Sequence, residues 1–160
     1  NSWNKSDYGT FPGAVHAPFA VFTQTMGGSV PLVYSGQEEP LLRPLPFFEK
    51  DSITFGKLVR SKFYKTLQEL RKNNEALAAD ATFKKIKAGD EKAVYAFVRE
   101  KAGKKILVIL NLSKTEQAIQ LTDKNLLGKA SNVFEGREET LAETAWKMEP
   151  WGFALYVYNP

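Results

Sequence analysis

Apolar residues recur along this chain with two different periods, helical up to about residue 74 and alternating from Ala81 onward. Phe11, Val15, Phe19 and Phe22 fall at steps of three and four, which predicts a helix over residues 11–26 with these side chains on one face. Pro12 suits a first turn, where no backbone donor is missed. Pro18 removes an interior hydrogen bond and is expected to kink the helix, and Gly27-Gly28 ends it through a left-handed cap. Val30 to Tyr34 is a short apolar run that predicts a buried strand, turned by Ser35-Gly36 into two adjacent carboxylates, Glu38 and Glu39. Leu41 to Pro46 carries two prolines around Arg43 and reads as an extended surface loop. The spacing of Phe55, Leu58, Val59, Phe63, Leu67 and Leu70 predicts a long amphipathic helix over residues 54–73. Asp51, Ser52 or Thr54 would cap it, Arg71-Lys72 would favour its C-terminal dipole, and Asn73-Asn74 would stop it.

The alternating half predicts short strands at Thr82–Ile86, Ala93–Arg99, Lys105–Leu110, Gln117–Leu121, Ser131–Phe134, Thr140-Leu141, Ala145–Met148 and Phe153–Tyr158. Turn-forming stretches separate them, among them Lys87 to Glu91 and Lys101 to Lys104. Strands of this length at a spacing of roughly 8–12 residues predict an antiparallel sandwich. The boundary should fall between Asn74 and Ala81, dividing the chain into units 1–78 and 79–160, with the strands able to fold by themselves.

Composition narrows the function. A length of 160 residues allows one domain, or a small domain plus a fragment. With 43% hydrophobic and 25% charged residues the chain can bury a core. No apolar run reaches the roughly 18 residues that a membrane span needs. The net charge of +4, from 22 basic against 18 acidic residues, is spread over helix and strand faces with Glu interleaved. That is the pattern of a solvated surface, and no nucleic-acid partner is expected. The absence of cysteine excludes disulfides and thiolate metal sites. No His/Asp/Glu cluster has ligand spacing and no Gly-rich loop opens a helix, so neither a metal nor a phosphate site is expected. His16, the single histidine, has no partners for a triad and reads as a packing or surface residue. The start, Asn1-Ser2-Trp3-Asn4, has no Met and no basic-then-apolar signal pattern, so it reads as a processed or truncated start. Localisation stays open between a bacterial secreted, periplasmic or cell-surface protein and a cytoplasmic one.

The order of helix, Val30 to Glu39 (VPLVYSGQEE), Phe47 to Asp51 (FFEKD), helix and sandwich resembles the C-terminal part of the α-amylase family of glycoside hydrolases. In that family VPLVY is similar to the eighth strand of a (β/α)8 TIM barrel, Gly36-Gln37-Glu38 to a non-catalytic Gly-x-Glu, and FFEKD to the lead into the last barrel helix in bacterial members. Asn111-Leu112-Ser113 and Pro150-Trp151-Gly152-Phe153 resemble the Greek-key sandwich, domain C, that follows the barrel. The resemblance implies an α+β chain: the last helix–strand–helix of the barrel, then an all-β antiparallel sandwich. It implies a parent that hydrolyses α-1,4-glucans such as starch, glycogen and maltooligosaccharides with retention.

A retaining glycosidase needs two carboxyl groups about 5–5.5 Å apart. In the family these lie on middle barrel strands, and a third carboxylate belongs to a motif that would precede Asn1. No catalytic residue is therefore assigned to this chain, which is expected to be inactive alone. Glu38 and Glu39 are adjacent, and on a strand would face opposite ways. Glu38 could brace the barrel mouth by hydrogen bonds. The substrate-binding candidates implied are Trp3 beside the sugar cleft, Tyr34 at the strand end, Glu38, and Arg43 in the following loop, each with a packing or solvent-facing alternative. No cofactor is expected here; calcium in relatives is held by barrel parts this stretch does not resemble. Two other readings stand beside this one. The chain could be a non-catalytic carbohydrate-binding module in which Trp146, Trp151, Tyr156 and Tyr158 stack on sugars, or these residues could be core. It could also be an interaction fragment that associates through residues 11–34, either as a swapped dimer or with the rest of the barrel.

Overall fold

The computed structural model describes residues 13–158. Two helices, α1 (His16–Thr25) and α2 (Ser61–Asn73), precede eight strands. These are β1 (Thr82–Ile86), β2 (Val94–Lys101), β3 (Lys104–Asn111), β4 (Gln117–Ile119), β5 (Gly128–Asn132), β6 (Arg137–Leu141), β7 (Trp146–Met148) and β8 (Phe153–Tyr158). Every strand pairing is antiparallel. A six-stranded sheet runs β1-β2-β3-β8-β5-β6, and β4-β7 form a second, two-stranded sheet. The chain leaves the large sheet for β4, returns for β5 and β6, leaves again for β7, and comes back as β8 between β3 and β5. Such crossing connections are those of a Greek-key sandwich.

Alternation explains which residues face which layer. On β2 and β3, Val94, Ala96, Val98, Leu107 and Ile109 face inward, toward Ile119, Leu121 and Met148 of the small-sheet side. Their neighbours Phe97, Ile106, Val108 and Leu110 face outward, joined by Leu155 of β8. That outer face is covered by Val21 of α1, Leu67 of α2, and Ala76 and Leu77 of a 3-10 turn. The central strand is buried on both sides, which is why residues 106–110 read as an unbroken apolar run. Each of these large side chains contributes roughly 1.5–3 kcal/mol by burial.

The helices differ from the sequence expectation in where they start. α1 begins at His16 after a 3-10 turn over Gly13–Val15, so Pro18 lies in its first turn, where its missing N–H costs nothing, and no kink is needed. Phe11 lies outside the described residues. α2 begins at Ser61 with no side-chain cap, leaving Phe55, Leu58 and Val59 exposed and outside any helix. The cause is local: Leu58 has φ of +47°, and the amides of Gly56, Lys57 and Leu58 are taken by Glu39. The predicted strand over residues 30–34 does not form; Val30 and Leu32 are 93% and 77% exposed. A parallel barrel strand takes its ladder from neighbours on both edges, and among the described residues no strand lies beside this run. Ser131–Phe134 is displaced too: the strand is Gly128–Asn132, and Asn132 turns the chain by accepting the amides of Phe134 and Glu135.

Two buried polar side chains join the layers. Arg99 of β2 has no exposed surface and points to the helical side. Its guanidinium donates to the carbonyls of Thr25 and Met26 at the end of α1, Ala78 and Ala81 in the connection, and Thr82 of β1. Arg71 of α2 reaches the same corner and donates to the carbonyls of Gln24 and Ser29. Burial, then repulsion from Arg71, lowers the Arg99 pKa, yet an arginine remains charged. At the opposite end of the sheet Asn111 is equally buried. Its amide donates to the carbonyls of Thr115, Met148 and Glu149, and its oxygen accepts from the backbone and hydroxyl of Ser113. Gly152 completes this corner, since a Cβ there would lie 2.8 Å from the Glu149 carbonyl and from Met148 Cγ.

Replacing Arg99 with Lys should lower stability by about 2–4 kcal/mol, because the three N–H groups of an ammonium cannot serve the five carbonyls that the guanidinium reaches and leave some unpaired. Urea unfolding of the purified chain measures this; a loss under about 1 kcal/mol would show that the guanidinium does not hold the layers. Asn111→Ala should cost about 2–3 kcal/mol by the same accounting, and differential scanning calorimetry should show no loss if the corner is held by its backbone alone.

Candidate functional site

The residues singled out for substrate contact lie on the connection between α1 and α2. Tyr34 and Gln37 close a turn in which the Gln37 amide donates to the Tyr34 carbonyl at 3.0 Å and the Gln37 side chain accepts from the Tyr34 amide at 2.8 Å. Gly36, at φ of +94°, takes the left-handed position in this turn. Glu38 bends back within it, its Oε2 accepting from the Gly36 amide at 3.1 Å. Its own carbonyl accepts from the Arg60 amide. The side chain that braces a distant segment is therefore Glu39. It accepts from the amides of Gly56, Lys57 and Leu58 at 2.9–3.1 Å, and these three bonds hold its pKa below the usual 4.5. Sequence alone offered no sign of this, because amides that converge on one carboxylate are a property of loop conformation.

Arg43 forms a two-pronged pair with Asp51 and also donates to the carbonyls of Pro44 and Ser52. The carboxylate partner raises the Arg43 pKa, and Arg43 with the Ser52 amide lowers that of Asp51. Arg43 thus closes its own loop. Tyr34 and Glu38 share one turn, Arg43 belongs to the next, and Trp3 lies outside the described residues. Tyr34, Glu38 and Arg43 are absent from the linings of three cavities of about 300 Å³ formed by the described residues. Around them the surface is apolar: Val30, Leu32, Leu42, Phe47, Phe48, Phe55 and Val59 are all exposed, Phe48 to 89%.

The aromatic residues considered for sugar stacking sit on the sandwich. Tyr156 is buried and Tyr158 half-buried, both on the inner face, with hydroxyls donating to Glu139 and to the Leu126 carbonyl. Trp151 occupies the β7–β8 corner at φ of +57°, its amide donating to the Ser113 carbonyl. Trp146 is half-buried against the inner core. His16 is buried on α1 and hydrogen-bonded to the Tyr64 hydroxyl, a packing role. Among the described residues no group of three or more His, Asp or Glu is placed to hold a metal ion. No helix there is long and apolar enough to cross a membrane.

These elements define an antiparallel sandwich domain with helices on its outer face. Within it, residues 94–152 match the family model of the alpha-amylase SusG C-terminal domain, and the resemblance to the α-amylase family holds for this region. The fold is similar to a noncanonic maltogenic alpha-amylase, AmyB, from Thermotoga neapolitana, at 16% identity and TM-score 0.72 over 92% of this chain and 37% of that one. It is similar to AmyP, solved in complex with maltose, at 14% identity and TM-score 0.69 over 90% and 34%. An alpha-amylase from Anoxybacillus aligns at 17% identity and TM-score 0.66 over 92% and 32%. At these identities the likeness is one of fold, and the chain spans about a third of the length of these structures. No curated protein matches the sequence.

The low Glu39 pKa gives a test of the loop. A depressed carboxylate pKa contributes order above its unfolded value of 4.5, and the contribution is lost as pH falls through the lower folded value. Amide hydrogen exchange at Gly56, Lys57 and Leu58 should therefore accelerate beyond the intrinsic trend as pH falls from 4.5 through the lower folded value. Glu39→Gln should show weak protection at every pH. Equal protection in both proteins would show that the carboxylate does not hold the loop.

Proposed function

We propose that this chain is the C-terminal portion of an α-amylase-type glycoside hydrolase acting on α-1,4-glucans by a retaining mechanism. Residues 1–78 supply the end of a (β/α)8 barrel, and residues 79–160 supply a stabilising sandwich. The observation that carries the reading is the exposed apolar segment 30–59, tethered to helices that are themselves packed on an α-amylase-type sandwich. Val30, Leu32 and Tyr34 expose their side chains without a ladder, as an edge strand does before its sheet is complete. In this reading the rest of the barrel covers that surface, the strand over 30–34 forms against its neighbours, and Tyr34, Glu38 and Arg43 come to the barrel mouth with Trp3. Alignment with two alpha-amylases over 92% of the chain, well beyond the sandwich alone, supports it.

The chain itself contributes no catalytic carboxylate. Glu38 bonds its own turn and Glu39 is committed to three amides, so these two do not form the carboxyl pair that flanks a scissile bond. In this reading the two catalytic carboxyl groups belong to the remainder of the parent, and any calcium would be held there too. The purified chain should release no reducing sugar from soluble starch. The full parent polypeptide should cleave maltoheptaose and yield the α-anomer first, read by proton NMR. Turnover by the isolated chain, or a parent inactive on every α-glucan, would sink the reading.

A further inference from the structure

The two sheets of the sandwich diverge where β6 ends one and β7 ends the other. The edge strands do not pair there, and a cavity of about 310 Å³ opens between them. Its walls are Glu139, Thr140 and Leu141 of β6, Trp146 of β7 and Tyr156 of β8, with Thr144 on the rim. That volume is at the low end for small-molecule pockets. The indole of Trp146 packs on the inner core and forms one wall. Glu139 is fixed in place: Oε1 accepts from Asn132 Nδ2 at 3.2 Å and Arg137 Nε at 3.1 Å, and Oε2 from the Tyr156 hydroxyl at 3.1 Å. Burial and the Glu139 charge push the Tyr156 pKa up to about 12, so this hydroxyl remains a donor at any working pH.

A carboxylate offers about four acceptor positions. Three are used by protein donors, which leaves one on Oε2 for a ligand. Arg137 offsets the charge, so the pocket does not favour a cation over a neutral hydroxylated molecule. An aromatic wall, one preplaced acceptor and an exposed threonine at the rim suit a pyranose ring, which has an apolar face and hydroxyls at its edge.

We infer that the cleft between β6 and β7 is a carbohydrate-binding site that takes one glucosyl unit of an α-glucan chain. Trp146 carries the ring face and Glu139 accepts a hydroxyl. The site uses residues remote in sequence from the barrel-end segment and holds substrate without cleaving it. The choice of an α-glucan rests on the proposed function; the pocket and its chemistry do not.

The test is a titration of the 160-residue chain with maltoheptaose, followed by the indole N–H signals of its 3 tryptophans in proton–nitrogen NMR. The Trp146 signal, assigned by its loss in Trp146→Phe, should shift and saturate with Kd on the order of 1 mM. Thr144 is exposed, so Thr144→Arg can block the mouth without touching the core. It should weaken binding about tenfold, and Glu139→Gln, which keeps the shape, should weaken it several-fold. A still Trp146 signal, or binding indifferent to Thr144→Arg, would overturn the site. An equal response to cellohexaose would overturn the α-glucan assignment. A chain that binds, with a parent inactive on α-glucans, would retain the site and sink the function proposed for the parent.

Discussion

The guanidinium of Arg99 is a buried cation that meets no carboxylate among the described residues. Its charge is answered by backbone carbonyls alone, drawn from the end of α1, the connection before β1, and β1 itself. Carbonyls at a helix C-terminus carry the negative end of the dipole and lack partners within the helix. Arg99 supplies those partners from the sheet, and Arg71 supplies more from α2. A buried cation without acceptors is costly, so the segments that provide them are not free to drift away. The position of α1 and of the connection is therefore set by a polar constraint, and the apolar contacts fill in around it.

Around that corner aromatic rings complete the seam between helices and sheet. Phe22 of α1 meets Tyr95 and Phe97 edge-on, and Phe83 stacks on Phe97 at 4.8 Å between centroids. Farther along, Phe63 of α2 stacks with Phe134 and meets Phe153 edge-on. Such pairs add about 0.5–1.5 kcal/mol each beyond burial. The loop between the two helices has few comparable anchors. It is held by carboxylate and guanidinium contacts at Glu39 and Arg43, while its apolar side chains face outward.

How much of this could be read from the sequence depended on whether a segment's structure is local. Strands in the second half followed from alternation, with ends displaced by a few residues, because each pairs with neighbours that the chain itself supplies. The helix over 61–73 was visible, but its start was not. Phe55, Leu58 and Val59 keep helical spacing, and only the positive φ of Leu58 and the reach of Glu39 show that they are not helical. The run at 30–34 has the composition of a buried strand and no edge to pair with among the described residues. Asn111 was noticed as part of a motif, and Trp151-Gly152 as part of another. That the two motifs meet in one hydrogen-bonded corner follows from the return of β8 beside β3. Arg99 gave no signal, since an arginine in an alternating strand reads as solvent-facing. Glu139, likewise, reads as surface in the sequence, and only the meeting of the two sheet edges brings it into one cavity with Trp146.

The double burial of β3 bears on how such a chain can be exchanged between relatives. Sequence composition changes near residue 80, and that is where a module boundary would be drawn. The sheet beyond it nevertheless has a second apolar face, made of Phe97, Ile106, Val108, Leu110 and Leu155, that fits α1 and α2. A recombination event that transferred the strands without the helices would set this face against a foreign surface. It would also leave Arg99 without its carbonyls. The inheritable unit is therefore larger than the sandwich, and α1 and α2 travel with it.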